Sequence, residues 1–206
     1  MQATEILSSE HRVIERVIAA LDAAADRLEA GEGVRPGFFV VATRFIRNFA
    51  DGERVVSENA HYLCVVLFAT MARNGMPTDD GPIGVMLFEH DRARELTAGL
   101  GKAAERWAGG DRDVADTLAD YARAYGELLT QHIYKEDNIL FPMAAQAILP
   151  QEQDELLHEF GRIERAQAEK GSKASYLELA GSLCAEMGVD ADAAPRRKVE
   201  LPCHAC

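Results

Sequence analysis

Four histidines are the residues of this sequence whose type and spacing best suit chemistry. The chain contains six histidines, at positions 11, 61, 90, 132, 158 and 204. Helical periodicity places the first four one per helix, in four successive long helices. If those helices run antiparallel, a rise of ~1.5 Å per residue puts all four histidines roughly 10–18 Å from the same end of the bundle. His11, His61, His90 and His132 are therefore predicted to share one layer of the core, with His158 outside it.

A carboxylate joins this layer from the fourth helix. Glu136 follows His132 by one helical turn, which places both side chains on one face of the helix. A buried layer of imidazoles needs polar partners, and one bound metal ion satisfies several of them at once. Imidazole nitrogen with carboxylate oxygen is the ligand mixture that suits iron, manganese or zinc in a bundle core. A lone histidine is more often a core or surface residue, so this prediction depends on the whole set.

The elements that must position these residues are helices, because almost every stretch has helical periodicity and none has sustained strand alternation. The pattern predicts helices over about residues 4–30, 37–73, 81–107 and 111–141, with Asp111 as the N-cap of the fourth and a kink at Pro142. Four long helices with short loops predict an all-α, up-down-up-down four-helix bundle. Two shorter helices, over about residues 151–170 and 172–187, are expected to follow. We therefore predict one helical domain over residues 1–187 and a flexible tail over 188–206.

The charge of the chain excludes several classes of partner. Its 206 residues include 22 Lys and Arg against 34 Asp and Glu, a formal charge of −12 at pH 7. Nucleic acid and anionic membrane surfaces attract basic proteins, so we expect neither as a partner. No apolar run approaches the ~18 residues of a membrane span, and the first residues lack the features of a signal peptide. Four cysteines are too few for a disulfide scaffold, so we expect a cytoplasmic protein with reduced thiols.

Three segments give the histidines a recognisable context. They are residues 10–15 (EHRVIE), residues 81–90 (GPIGVMLFEH) and residues 132–142 (HIYKEDNILFP). Together they resemble the hemerythrin-like, or HHE cation-binding, family in its bacterial stand-alone form, over about residues 3–187. The resemblance implies a four-helix bundle that holds a non-haem di-iron centre. It also implies that His11, His90 and His132 are iron ligands and that Glu136 is a bridging carboxylate.

The second helix departs from this family pattern. The family has His-His-x-x-Lys-Glu-Glu there, followed shortly by Leu-Phe. In this chain Phe49 and the pair Leu67 and Phe68 both look like family anchors, but too many residues separate them. Counted back from Leu67, the ligand positions hold Asn59 and Leu63, and counting forward from Phe49 does not restore the ligands either. The second bridging carboxylate therefore has no obvious occupant.

Three arrangements of the second helix remain open. Glu58 and His61 have the i, i+3 spacing that di-iron carboxylate bundles use. His61 with Cys64 would instead supply a thiolate, which favours zinc or a thiolate-bound iron. In the third arrangement the additional residues form a bulge or loop, and the helix contributes one ligand or none. The first is preferred, which gives as predicted metal ligands His11, Glu58, His61, His90, His132 and Glu136.

The function that the resemblance implies is a stress-related protein with two non-haem iron ions that binds, senses or reduces O2, NO or reactive oxygen or nitrogen species. Such a centre needs a shell that excludes water, and the aromatic candidates for it are Phe45, Phe49, Phe68, Phe88 and Phe141. One alternative is a single zinc or iron ion, because the second bridging carboxylate is missing. Another is a metal-free helical bundle that serves as an interaction module. The partner is expected to be a small diatomic molecule, and the chain to be a monomer or a homodimer.

Two further motifs bear on activity. The sequence has no Gly-x-Ser-x-Gly elbow and no phosphate-binding glycine loop, so nucleophilic hydrolysis has little support, and whether the chain is an enzyme stays undecided. The tail contains Cys203 and Cys206 around His204, a pattern that binds zinc or forms a dithiol switch. Without a second cysteine pair it supplies only part of a zinc site.

Overall fold

The computed structural model describes residues 3–50, 60–168 and 173–190, and every regular element in these ranges is helical. The helices are α1 (Ala3–Glu29), α2 (Phe38–Phe45), α3 (Ala60–Arg73), α4 (Gly81–Ala108), α5 (Ala115–Lys135), α6 (Phe141–Ala147), α7 (Pro150–Ala168) and α8 (Lys173–Met187). Two π-helical turns continue α2 and α5, at Ile46–Ala50 and Glu136–Leu140. None of these helices has both the length and the apolar character that crossing a membrane requires. The all-α prediction is confirmed.

The long helices form the predicted bundle, with the two additional C-terminal helices packed against it. Helix α1 packs along α5, α5 along α4, and α4 against α2. Helix α8 contacts both α1 and α2, so it lies beside the part of the bundle that these two helices share. Helix α3 packs against α1, α6 and α7. The second bundle helix is thus made of α2 with its π turn and of α3, while residues 51–59 between them lie outside the described ranges.

The start of α5 differs from the sequence prediction. Asp111 is not the N-cap, because the helix begins at Ala115 and its N-cap is Val114. The backbone N–H of Asp111 donates to the carbonyl oxygen of Arg106 at 3.1 Å and so belongs to the end of α4. Gly110 makes this return possible with a φ of 97°, which a glycine adopts without strain. The Asp111 carboxylate instead accepts from the N–H of Asp113 at 3.1 Å.

The apolar core is divided into two clusters. The larger cluster joins α2, α5 and α8 to the later turns of α1 and α4, with Leu21 and Leu100 fully buried. The smaller cluster joins α3, α6 and α7 to the first turns of α1 and α4, with Leu7 and Phe160 among its buried members. The buried polar residues Glu10, His11, His132 and Glu136 lie between the apolar positions of the two clusters. The core therefore has a polar layer where the sequence predicts the histidines.

Candidate metal centre

Three of the predicted ligand histidines meet at one buried carboxylate in this layer. Glu136 Oε2 lies 3.0 Å from His11 Nε2 and 3.6 Å from His132 Nε2. The rings of His90 and His132 have centroids 4.5 Å apart. One ligand atom from each of His90, His132 and Glu136 lies within 4.8 Å of the others, which is close enough for a single ion to contact all three. Residues from α1, α4 and α5 thus converge on the carboxylate of Glu136.

A π-helical turn begins at Glu136, where the sequence predicted a plain helix kinked by Pro142. The N–H of Phe141 donates to the carbonyl oxygen of Glu136, five residues earlier. Pro142 has no N–H to continue the regular ladder, and a widened turn before it accommodates that loss. Glu136 and Asp137, adjacent in this turn, both reach the ring of His11, through Nε2 and Nδ1 respectively. π-helical turns often occur at functional sites, and this one places two carboxylates around one imidazole.

Asp137 orients the imidazole of His11. Its Oδ1 lies 2.8 Å from His11 Nδ1 and accepts a hydrogen bond from Ser8 Oγ at 2.9 Å. Its Oδ2 forms an ion pair with Arg12. A carboxylate at Nδ1 holds a proton there, so Nε2 is the nitrogen that faces Glu136, and loss of its proton would leave a lone pair for a metal ion. The sequence analysis assigned Asp137 no role, although an acidic residue directly after a candidate ligand was the available signal.

Glu89 performs the same task for His132. Its Oε2 lies 3.0 Å from His132 Nδ1, and its Oε1 forms an ion pair with Lys135. Because Glu89 precedes His90 on α4, it points away from the ring of His90 and instead reaches the neighbouring helix. Both oriented histidines therefore have a carboxylate at Nδ1, and each carboxylate has a cation at its second oxygen. Such outer partners fix the ring and raise its basicity as a ligand.

The centre is arranged for a positive charge. Glu136 is 1% exposed, and its Oε1 has no hydrogen-bond partner among the described residues. Burial raises the pKa of Glu136, but the nearby His132 and His11 more than offset this and leave that pKa below its usual value. Burial lowers the pKa of His11, but hydrogen bonds to Asp137 and Glu136 raise it by more, so that the pKa is about 9. Without another cation the protonated His11 ring supplies the positive charge, which a metal ion would replace.

Cys64 of α3 belongs to the smaller apolar cluster, next to the polar layer. It is 6% exposed and has no disulfide. Burial raises the pKa of its thiol well above the usual value, and the negative charges of Glu136 and Glu10 raise it further. A thiol held in its neutral form beside two carboxylates is the opposite of an activated nucleophile. Hydrolysis with Cys64 as the nucleophile therefore has no more support than the sequence gives to nucleophilic hydrolysis in general.

The remaining second-helix predictions fall largely outside the described residues. Glu58 lies in the range 51–59, and His61 is in the first turn of α3 with a side chain that is not described. Their role as ligands stays a prediction. Leu63, which family spacing placed in a ligand position, is 1% exposed in the smaller apolar cluster. The next residue, Cys64, is buried in the same cluster.

Two aromatic rings cover the histidines. Phe141 stacks on His11 with centroids 5.6 Å apart, and Phe68 stacks on His90 at 6.1 Å. The other aromatic candidates lie elsewhere. Phe88 is 72% exposed, so its assignment to the shell is wrong, because its position on α4 faces outward. Phe45 and Phe49 stack on each other in the larger cluster.

A helical bundle with imidazoles and a carboxylate around one buried polar centre belongs to the class of metal-binding bundle proteins. The sequence comparison agrees, because the hemerythrin HHE cation-binding domain matches residues 2–144. The chain therefore belongs to the hemerythrin HHE cation-binding family, and its expected cofactor is a metal ion. The matched range contains His11, His90, His132 and Glu136, whereas α7 and α8 follow it.

The curated relatives are mycobacterial. They include "Uncharacterized protein Rv1995" of Mycobacterium tuberculosis and "Uncharacterized protein Mb2018" of Mycobacterium bovis, each 27% identical over 140 residues. The matched region is 68% of this chain and 52% of each relative, so the chain spans about half the length of the curated relatives it matches. No solved structure matches this chain.

Proposed function

We propose that this protein holds non-haem iron at the centre around Glu136, with two ions bridged by that carboxylate. His11 would bind one ion, and His90 with His132 would bind the other. The observation that carries the proposal is the position of Glu136, which is buried between His11 on α1 and the two histidines of α4 and α5. Its unpartnered Oε1 is a further acceptor that a cation would satisfy.

The surrounding residues fit this role. Asp137 and Glu89 hold Nδ1 of His11 and His132, and so keep Nε2 of both rings directed at the centre. Phe141 and Phe68 lie against the histidine rings and exclude water from two sides. Non-haem iron with an open coordination position binds O2 or NO and exchanges electrons with them. We therefore propose that the protein binds, senses or reduces O2, NO or a related reactive species in the cytoplasm, as part of a stress response.

A second candidate is a centre with one zinc or iron ion. His90, His132 and Glu136 alone form a compact group of two histidines and one carboxylate. That ligand set occurs in mononuclear non-haem iron and in catalytic zinc sites. In this arrangement His11 forms a hydrogen bond with Glu136 and does not bind the metal ion.

Metal stoichiometry separates the two candidates. The protein is purified without chelator, loaded anaerobically with Fe(II), and its iron is determined per chain. The di-iron proposal predicts about two ions, about one in His11→Ala, and an absorption change on exposure to O2 or NO. The mononuclear candidate predicts about one ion with or without His11→Ala. The control is His158→Ala, an exposed residue of α7.

A metal-free bundle makes a different prediction. Iron and zinc would then remain unbound after loading, and chelation would leave the melting temperature unchanged. That outcome would overturn both metal candidates.

A further inference from the structure

The exposed face of α3 is apolar. From Leu63 to Met71 this helix has one polar side chain, that of Thr70. One side of the stretch fills the smaller apolar cluster, but Val65 is 37% exposed, and Ala69, one turn later on the same face, is also exposed. A helix that is apolar on all sides is normally covered on all sides. The outward face of α3 is therefore expected to have a partner.

This face forms one wall of a groove between α3 and α7. Val65 and Ala69 line the groove together with Leu156 of α7, and its volume is about 350 Å³. That volume is at the lower end of the range for ligand pockets, about 300–1,000 Å³. The groove therefore has room for a few side chains of a peptide segment.

The wall of the groove that α7 supplies is acidic. Glu152, Glu155 and Glu159 lie on successive turns of one face of α7, and all three line the groove. Glu155 is exposed and has no ion pair among the described residues. Among the described residues that line the groove, Arg73 is the one cation, and it donates to the hydroxyl of Thr70. Carboxylates beside an apolar wall are complementary to a segment that carries both positive charges and aliphatic side chains.

The chain contains such a segment in its C-terminal tail, outside the described ranges. Residues 196–198 are Arg-Arg-Lys, the longest run of consecutive basic residues in the sequence, and Val199 and Leu201 follow them. The chain as a whole has a formal charge of −12. This run is therefore the part of the sequence that best matches the acidic and apolar groove.

Helix α8 carries the tail away from the groove of its own chain. The helix begins beside the polar layer, where Lys173 pairs with Glu10 at 2.8 Å. Near its other end, Glu186 pairs with Arg35, just before α2. Its 15 residues span about 22 Å, along the larger apolar cluster, whereas the groove belongs to the smaller one.

The length of the tail decides which groove the basic run can occupy. The stretch from Asp190 to Arg196 spans at most about 22 Å, which returns Arg196 only to the start of α8. The groove of the same chain lies beyond that point. The basic run is therefore better placed to enter the groove of another copy.

We propose that the groove between α3 and α7 binds residues 196–201 of a second copy of this chain, and that two such contacts join the copies in a dimer. The three cations would lie beside the glutamates of α7, and Val199 and Leu201 would cover Val65 and Ala69. Each copy supplies one tail and one groove, so the assembly is closed at two chains. Because the charges involved are exposed, salt weakens the association.

Sedimentation equilibrium of the full chain measures the dissociation constant of the dimer. A reducing buffer prevents disulfide links through Cys203 and Cys206. Glu155→Arg reverses a charge in the groove, Arg197→Glu reverses one in the tail, and a third variant combines both substitutions. The matched control is Glu127→Arg, which makes the same charge change at an exposed position of α5 outside the groove.

Each single variant is expected to raise the dissociation constant by about tenfold or more, whereas the control keeps the value of the parent protein. The combined variant should recover most of the loss, because the two charges are then exchanged across one contact. An increase in salt from about 0.05 M to about 0.5 M should weaken the parent dimer. Far-UV circular dichroism confirms that each variant is folded. A chain that is monomeric at every concentration, or a dimer that neither single variant weakens, would overturn the proposal.

Discussion

The orientation of His11 by Asp137 gives the sharpest prediction for a residue outside the ligand set. Asp137→Asn removes the negative charge that accepts the Nδ1 proton at 2.8 Å. A hydrogen bond to a charged group contributes about 1.5–3 kcal/mol, and 1.4 kcal/mol corresponds to about tenfold in an equilibrium constant. Metal binding should therefore weaken by roughly 10- to 100-fold, the range found when outer partners of ligand histidines are changed.

The assay is a competitive titration of Zn(II) or anaerobic Fe(II) against a chromophoric chelator, which yields the dissociation constant of each variant. Glu89→Gln, which removes the equivalent partner of His132, should have an effect of similar size. The control is Asp91→Asn, which removes an exposed carboxylate that pairs with Arg94 on the same helix as Glu89. Binding of metal by Asp137→Asn as tightly as by the control would mean that Asp137 does not orient His11 for a metal ion.

The other predictions concern stability. Metal-free protein should lose up to about 3 kcal/mol of unfolding free energy as the pH rises from about 6.5 through 9. The reason is that His11, whose pKa is raised in the folded state, stabilises the fold only while its ring is protonated. A urea unfolding series that shows no loss of stability in this window would contradict this prediction. Leu21→Ala, at a fully buried position of the larger cluster, should cost about 2–5 kcal/mol in urea unfolding and leave the metal content unchanged; a cost below 1 kcal/mol would contradict the packing described. Chelation should lower the melting temperature of the loaded protein, since metal at 100 times its dissociation constant contributes about 2.7 kcal/mol, and an unchanged temperature would mean that no metal stabilises the fold.

The predictable part of the structure follows from local patterns. Apolar periodicity gave the long helices, and the i, i+4 spacing of His132 and Glu136 survives in the structure because both lie at the end of one helix. The common layer of His11, His90 and His132 follows from the lengths of the helices and from the antiparallel order that short loops impose. Neither inference needed knowledge of tertiary contacts.

The parts that sequence reasoning missed depend on tertiary contacts or on local geometry. The π turn at Glu136–Leu140 shifts the register after Glu136, so the contact of Asp137 with His11 does not follow from regular helical spacing. Asp111 looked like an N-cap, but its backbone N–H already completes the end of α4. Phe88 belongs to an apolar run in which Val85 and Leu87 are also exposed, and its outward-facing members cannot be recognised without the neighbouring helices.

The central claim is that a metal ion binds at the carboxylate of Glu136, and anomalous diffraction from crystals of iron-loaded protein tests it most directly. The account predicts anomalous peaks at the iron edge within about 2.0–2.3 Å of Glu136 and of the histidine nitrogens that surround it. Peaks found only at the tail cysteines, or no peak in the bundle core of a loaded crystal, would contradict the account.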